Sequence, residues 1–284
     1  MSRARSLITH HSSLITLTTD FGLEDNFVGV MKGVIAGLAP AARVIDLTHA
    51  VPPQDIAAGA FSLATAYAYF PPGTIHLAIV DPGVGTARRG IAVAAGGYYW
   101  VAPDNGLLGY AFAALAAAGR LEGQWREGMW EFGADALAVE LTEPRFWLPR
   151  VSRTFHGRDV FAPVAAQLAR GVPLRALGPL TRRVQALALP SPAPIAGGWQ
   201  GIVLHVDRFG NLISNLDAAT LAGRAWSVEV GGWRIPALSE TYAAIDDLGA
   251  LIGSAGYLEI AARNGSAAAR LGLAAGAPVV VREG

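Results

Sequence analysis

The chain has 284 residues, 52% hydrophobic and 15% charged, with 22 Lys and Arg balanced against 22 Asp and Glu. That length and composition point to a well-buried protein of two domains, not a disordered one, and a net charge of zero leaves no basic field to hold nucleic acid or an anionic membrane. With no cysteine, disulfides, thiolate catalysis and Cys-type zinc sites are excluded.

The histidines at 10, 11, 49, 76, 156 and 205 show no metal-ligand spacing, and no apolar run reaches membrane-spanning length. Ahead of His10-His11-Ser12-Ser13 the basic N-terminus has no continuous apolar stretch, so no signal peptide is expected and the protein is read as cytoplasmic. Ser6–Thr9 (SLIT) recurs as Ser13–Thr16, and residues 1–13 are expected to be a disordered extension.

From residue 14 to 186 strand and helix signals alternate. Leu14–Thr19 is short and β-branched, a strand. Asn26–Leu38 carries apolar residues at helical spacing, and Arg43–Thr48 is again a strand. Asp55–Tyr69 is an Ala-rich helix stopped by Phe-Pro-Pro-Gly. Thr74–Val80 is nearly all apolar, as a strand buried on both faces of a parallel sheet would be. Ile91–Ala95 and Tyr98–Ala102 flank Gly96-Gly97, a hairpin signal. Helices are expected at Leu107–Ala118 and Gly157–Arg170. The alternation predicts an α/β layer fold. Residues 187–198 (LALPSPAPIAGG) read as an extended linker. Over 199–284 the segments are short and strand-like (Gly201–Val206, Asn211–Ser214, Trp226–Val230, Tyr257–Ile260, Pro278–Arg282), which predicts a small β domain, a sandwich or a barrel.

Five polar clusters punctuate this pattern. Asp20, in Thr18-Thr19-Asp20-Phe21-Gly22, ends the first strand, with Asp25 just beyond; its carboxylate suits a vicinal diol and equally an Asx turn. Asp81 ends the apolar strand in DPGVGTARR, where Gly83 and Gly85 permit a tight turn and a close approach of ligand to backbone. Arg88 lies seven residues on, and a turn that doubles back would pair it with Asp81. His156, in TFHGRD, sits at a helix start, facing a pocket or merely capping. Asp207, Phe209 and Asn211 belong to DRFGNLISN: Asp207 suits an ammonium and the Asn211 amide suits a base edge, while the same residues also make an ordinary β-turn. Finally, Ser254-Ala255-Gly256-Tyr257-Leu258-Glu259-Ile260 and Arg263-Asn264-Gly265-Ser266 suggest a strand, a glycine turn and a helix start, with Tyr242 upstream able to stack on an aromatic ligand or to be ordinary core.

In order and over nearly the whole chain from Leu14, the runs TTDFG, DPGVGTARR, APDNG (Ala102–Gly106), TFHGRDVFAP (Thr154–Pro163) and DRFGNLISN resemble the S-adenosyl-L-methionine (SAM) hydrolases, the SAM hydroxide adenosyltransferases, relatives of the SAM-dependent fluorinases and chlorinases. The resemblance implies an N-terminal α/β domain with a mostly parallel sheet and a C-terminal β-barrel. It also implies a homotrimer, with each site shared between neighbouring subunits. The implied reaction is attack of water or hydroxide on C5′ of SAM, giving adenosine and L-methionine, with SAM as substrate and no cofactor or metal.

The family's Asp, Arg and His triad falls on Asp81, Arg88 and His156. By the same resemblance, Asp20 binds the ribose hydroxyls, Asn211 reads adenine, and Phe209 and Tyr242 pack on the nucleoside. Asp207, with Asp25, meets the methionine ammonium, and Ser254 lies near the amino-acid end. The fluorinating relatives carry tyrosine where this chain has Asp81, and Tyr-Ser where it has His156-Gly157. A carboxylate there repels halide, which favours hydrolase over chlorinase. Ala255 replaces their arginine, so the substrate carboxylate has no assigned partner. A non-catalytic SAM or adenosine sensor is the other open reading.

Overall fold

The computed structural model describes residues 14–284, and the expected extension over 1–13 lies outside them. The chain divides into two compact units, the first ending at Leu189 and the second running Pro190–Gly284.

In the first unit, β1 (Leu14–Thr19), α1 (Phe27–Leu38), β2 (Arg43–Thr48), α2 (Ile56–Ala66), β3 (Ile75–Ile79), β4 (Gly90–Ala95), β5 (Tyr98–Pro103) and α3 (Gly109–Ala117) follow in turn. After them come β6 (Gly123–Arg126), β7 (Met129–Phe132), β8 (Leu137–Glu140), α4 (Ala162–Ala169), β9 (Leu180–Thr181) and β10 (Arg183–Gln185). A seven-stranded sheet runs β2-β1-β3-β5-β4-β8-β9. Its β2-β1-β3-β5 part is parallel, and β4, β8 and β9 extend it antiparallel. Strands β10-β7-β6 form a separate small sheet.

Side-chain alternation divides the two faces. Ile15, Leu17, Leu77 and Ile79 share a core with Met31 and Ile35 of α1 and Val164 and Leu168 of α4. Thr16 and His76 point the other way: Thr16 Oγ1 and His76 Nδ1 stand 2.8 Å apart, and the His76 ring lies 4.8 Å from that of Trp100. Covered on both faces, β3 is buried along its length, as its apolar sequence predicts.

Local chemistry sets the ends. The Asp55 carboxylate accepts from Ala58 N at 2.9 Å and caps α2, whose last predicted turn is instead the 3-10 turn Tyr67–Tyr69. The helix expected from Gly157 begins as a wide π turn, Gly157–Phe161, before α4. Pro163 explains part of this: it has no N–H for the Asp159 carbonyl one turn back, which accepts from Leu148 N at 2.9 Å instead.

The second unit contains β11 (Ala193–Ile195), β12 (Gly198–Val206), β13 (Leu212–Asp217), β14 (Trp226–Val230), β15 (Trp233–Ile235), β16 (Leu248–Ile252), β17 (Tyr257–Ala262), α5 (Ala267–Leu271) and β18 (Pro278–Glu283). The antiparallel path β15-β14-β18-β12-β13-β17-β16 curls towards closure, where Leu238, just past β15, bridges Ala250 of β16. It is the barrel-like choice of the two β architectures expected. Part of the stretch read as an extended linker is strand, since β11 pairs with β12.

Candidate active site

In the first unit the candidate residues leave the carboxyl ends of parallel strands, where open α/β sheets place their ligands. β1 and β3 are neighbours in register, Thr19 opposite Ile79, so Asp20 and the Val80-Asp81 step emerge side by side. Asp81 then turns back through Pro82–Ala87 to Arg88. Arg88 Nε donates to Asp81 Oδ1 at 2.8 Å and Oδ2 at 2.9 Å, and Nη2 donates to Oδ2 at 2.5 Å. The seven-residue spacing thus makes the expected pair, and it is nearly enclosed: the side chains are 6% and 11% exposed. Phe161 lies under the guanidinium, 5.1 Å from ring centroid to Cζ.

His156 joins from the N-terminal end of the π turn. Arg88 Nη2 donates to His156 Nδ1 at 2.9 Å. A guanidinium has only donors, so Nδ1 is the acceptor and the ring proton sits on Nε2. Burial, and then the Arg88 charge, hold the His156 pKa below its ordinary 6.5, against smaller opposing effects of Asp81, Asp159 and the Ser152 backbone. Behind it, buried Asp159 accepts from Ser152 N at 2.7 Å and from Arg158 Nε at 2.5 Å, bracing the loop.

Gly85 makes the tight turn expected of it, and the close approach it permits is by the protein itself. Gly85 has φ 78°, and a Cβ there would stand 2.2 Å from the Arg153 carbonyl oxygen. Its missing side chain therefore admits the loop that carries His156, not a substrate. A Cβ on Gly83 would lie over the ion pair, 3.4 Å from Arg88 Cγ and 3.8 Å from Asp81 Oδ1.

Asp20 Oδ2 accepts from Gln54 N at 2.8 Å, leaving its other oxygen available. Thr19 Oγ1 accepts from Phe21 N at 3.2 Å and stands 2.8 Å from His49 Nδ1, which fixes the turn beside Asp20. Phe21, Phe27 and Phe155 pack edge-on or tilted at 5.1–5.9 Å, joining the Asp20 turn to the His156 turn. Asp25 is exposed on the same loop.

The second unit gathers Asp207, Asn211 and Tyr242 differently. Asp207 Oδ1 accepts from the backbone N of Phe209 at 2.9 Å and of Asn211 at 2.8 Å, and its Oδ2 accepts from Asn211 Nδ2 at 3.0 Å. The β-turn reading of DRFGN is correct as geometry, and it aims an amide and a carboxylate together. Gly210, at φ 84°, lets this turn touch the next: a Cβ there would stand 2.0 Å from Ser266 Oγ. Phe209 is 77% exposed, and Ser254 is exposed on the turn after β16.

One residue of the Ser254–Ile260 stretch was given no role from the sequence. Glu259, in the middle of β17 and buried, accepts from the Tyr242 hydroxyl at 2.6 Å, and Gly253 makes room for it. Burial, then Glu259, then Asp207 push the Tyr242 pKa up to about 12, so the phenol stays a donor. The usable signal was a lone charge inside the apolar run YLEIAA.

Among the described residues no cluster of His, Asp and Glu could hold a metal ion, and no helix is long and apolar enough to cross a membrane.

Residues 15–178 match the N-terminal domain of the SAM hydroxide adenosyltransferases and residues 201–280 match their C-terminal domain. The (R)-S-adenosyl-L-methionine hydrolase of Salinispora arenicola is 44% identical over 275 residues, covering 95% of this chain and 98% of its own. An uncharacterized conserved protein from Thermotoga maritima has a similar solved structure, with TM-score 0.82, 33% identity, and 94% of this chain and 99% of that one covered. A fluorinase of an Actinoplanes species is more distant, 26% identical and covering 73% of each chain.

Proposed function

Because this chain belongs to the SAM hydroxide adenosyltransferase family, we propose that it hydrolyses S-adenosyl-L-methionine to adenosine and L-methionine by attack of water on C5′. The observation that carries the mechanism is the enclosed Asp81–Arg88–His156 network at the carboxyl end of β3. The sulfonium leaves as a neutral thioether and needs no general acid. The O–C5′ bond forms as the C5′–S bond breaks, its electron pair stays on sulfur, and one water proton must be taken up.

The hydrogen bonds favour Asp81 as the acceptor. Arg88 has no lone pair to offer, and His156 spends its only free one on Arg88. Asp81 Oδ2 accepts twice from Arg88, while Oδ1 accepts only from Nε and keeps a lone pair for the water proton. Free water has a pKa near 15.7, so the proton leaves during attack and not before it. Arg88 and His156 hold the carboxylate in line, and such alignment is worth several kcal/mol. A halide at the same place would meet the Asp81 charge, which favours hydrolysis over halogenation.

For binding, we assign Asp20 to the ribose hydroxyls and Asn211 to the adenine edge, with Phe209 and Tyr242 against the nucleoside. Asp207 and Asp25 meet the methionine ammonium, Ser254 lies at the amino-acid end, and Glu259 adds a third carboxylate for the cationic methionyl part. The substrate is taken to be the (R) sulfonium epimer, as named for the relatives. The reaction as balanced uses water alone, without cofactor or metal. We further propose a homotrimer in the cytoplasm, each site completed by a neighbouring subunit. Specific activity should then fall on dilution through the assembly constant, and a sedimentation-verified monomer with full activity would refute it.

The decisive experiment incubates the protein with SAM in oxygen-18 water, with and without excess chloride. Adenosine labelled at its 5′ oxygen, with methionine in equal amount, is expected. Intact SAM retained on the protein, or 5′-chloro-5′-deoxyadenosine, would overturn the proposal.

A further inference from the structure

We propose that Asp104 and Asn105, adjacent on the loop after β5, are positioning residues that clamp the two ends of the Asp81–Arg88 turn. Asn105 Nδ2 donates to the Val80 carbonyl at 2.7 Å, and its Oδ1 accepts from Leu107 N at 3.3 Å. Val80 is fully buried and directly precedes Asp81. The sheet no longer supports this peptide, because the ladder to β1 ends at Ile79 and the ladder to β5 ends at Leu77. A buried carbonyl requires a donor, and the Asn105 amide extends the ladder by one rung, on the amino side of the carboxylate.

Asp104 grips the other end. It is 2% exposed, forms an ion pair with Arg89, and accepts from Arg89 Nε at 2.8 Å. Its backbone N donates to the Arg89 carbonyl at 2.9 Å, the same oxygen that Arg88 Nη1 reaches at 3.4 Å. The loop is itself seated: Asp104 Oδ1 accepts from Gln185 N at 2.6 Å, and Gly106, at φ 100°, has Leu187 where a Cβ would be. Two consecutive side chains thus fix the residue before Asp81 and the residue after Arg88. Between those anchors the turn carries both members of the pair, whose mutual alignment sets the direction in which a proton is accepted. Both Asp104 oxygens and both Asn105 amide atoms are already engaged by the chain, so in this proposal both residues act through the pair.

The test is Asn105→Asp. The new carboxylate keeps the shape and the acceptor for Leu107 N but has no donor for the Val80 carbonyl; protonated, it regains one. At pH 8 kcat should fall about tenfold or more with KM for SAM within about twofold, since misplacement of reacting groups taxes the chemical step. The ratio of variant to wild-type kcat should recover as pH is lowered towards 5.5, whereas Asn105→Ala shows the fall without recovery. A structural defect would instead lower the cooperative thermal melt without a pH-dependent ratio. Asp104→Asn gives a second reading if Asn105→Asp does not melt cooperatively: kcat should drop several-fold at unchanged KM. Wild-type kcat in the folded variants, a loss confined to KM, or a ratio flat with pH would overturn the clamp. The proposal rests on Asp81 being catalytic, so Asp81→Asn is assayed alongside. An inactive wild type, or a fully active Asp81→Asn, defeats that reading and the clamp with it. An inactive Asp81→Asn beside an unaffected Asn105→Asp defeats the clamp alone.

Discussion

Each unit carries one enclosed cluster of candidate carboxylates, and the two clusters are built in opposite ways. In the first, Asp81 is matched by Arg88, and Arg88 by neutral His156, so the charge is balanced before any substrate arrives. In the second, Asp207 is held by backbone N–H groups and an amide, and Glu259 by a phenol; among the described residues neither forms an ion pair. A buried carboxylate with only neutral donors is costly unless a cation comes to it. A balanced cluster suits chemistry on a bound molecule, and an unbalanced one suits capture of a cationic molecule, the part we propose for the ammonium and sulfonium of SAM.

The harshest test of that division is Asp81→Asn. Losing the proton acceptor should lower kcat by about 10²–10⁴ while leaving KM nearly unchanged, read as adenosine released per site. A loss in KM alone would dissolve the distinction. Next, Glu259→Gln keeps an acceptor for Tyr242 and removes the charge. We expect KM to rise about tenfold, equivalent to about 1.4 kcal/mol of binding, with kcat less affected; a drop in kcat alone would move Glu259 to the chemical side.

Acid sharpens the comparison from the core outward. Burial holds His76 at a pKa of about 3 against 6.5 for the free ring. Between those values the unfolded chain binds a proton that the folded one does not, so stability is full above pH 6.5 and falls by about 1.4 kcal/mol per pH unit below it. Urea unfolding at pH 7, 6 and 5 should show this slope, and His76→Phe should flatten it. The smallest effect concerns His156. Its lowered pKa keeps it neutral near pH 7, and as pH falls through that lowered value the ring gains a proton at Nδ1 and can no longer accept from Arg88. The acid limb of kcat should therefore lie below pH 6.5. In His156→Asn, whose side-chain oxygen accepts without titrating, that limb should disappear at a cost of about a few-fold in rate.

What was legible in the sequence follows from distance along the chain. Asp81 and Arg88 are seven residues apart across glycines, and their pairing could be read from that spacing. His156, 68 residues from Arg88, could be placed beside them only through the resemblance. The apolar strand β3 declared itself, while β6 (GQWR) and β16 (LGALI) are too polar or too glycine-broken to do so. Gly85 was misread because a glycine announces a close approach without naming what approaches, here the Arg153 carbonyl. Glu259 stayed hidden because a single charge in a strand normally marks a solvent-facing position; it does alternate away from the core residues Leu258 and Ile260, and what buries it is the cover of Tyr242 and the Gly253 turn, which lie elsewhere in the chain. The π turn was unreadable too, since Gly157-Arg158-Asp159 extends the helical pattern smoothly.

The same spacings give the network a history in time. A ribosome adding about 5–20 residues per second delivers His156 on the order of 3–14 s after Arg88. Through that interval Asp81 and Arg88 are both present and their network lacks its third member. A carboxylate that had to wait for a distant cation would spend those seconds as an unneutralised charge at the end of an apolar strand. Having its partner seven residues away, Asp81 has its countercharge within reach almost as soon as it is made, and His156 is the member added last.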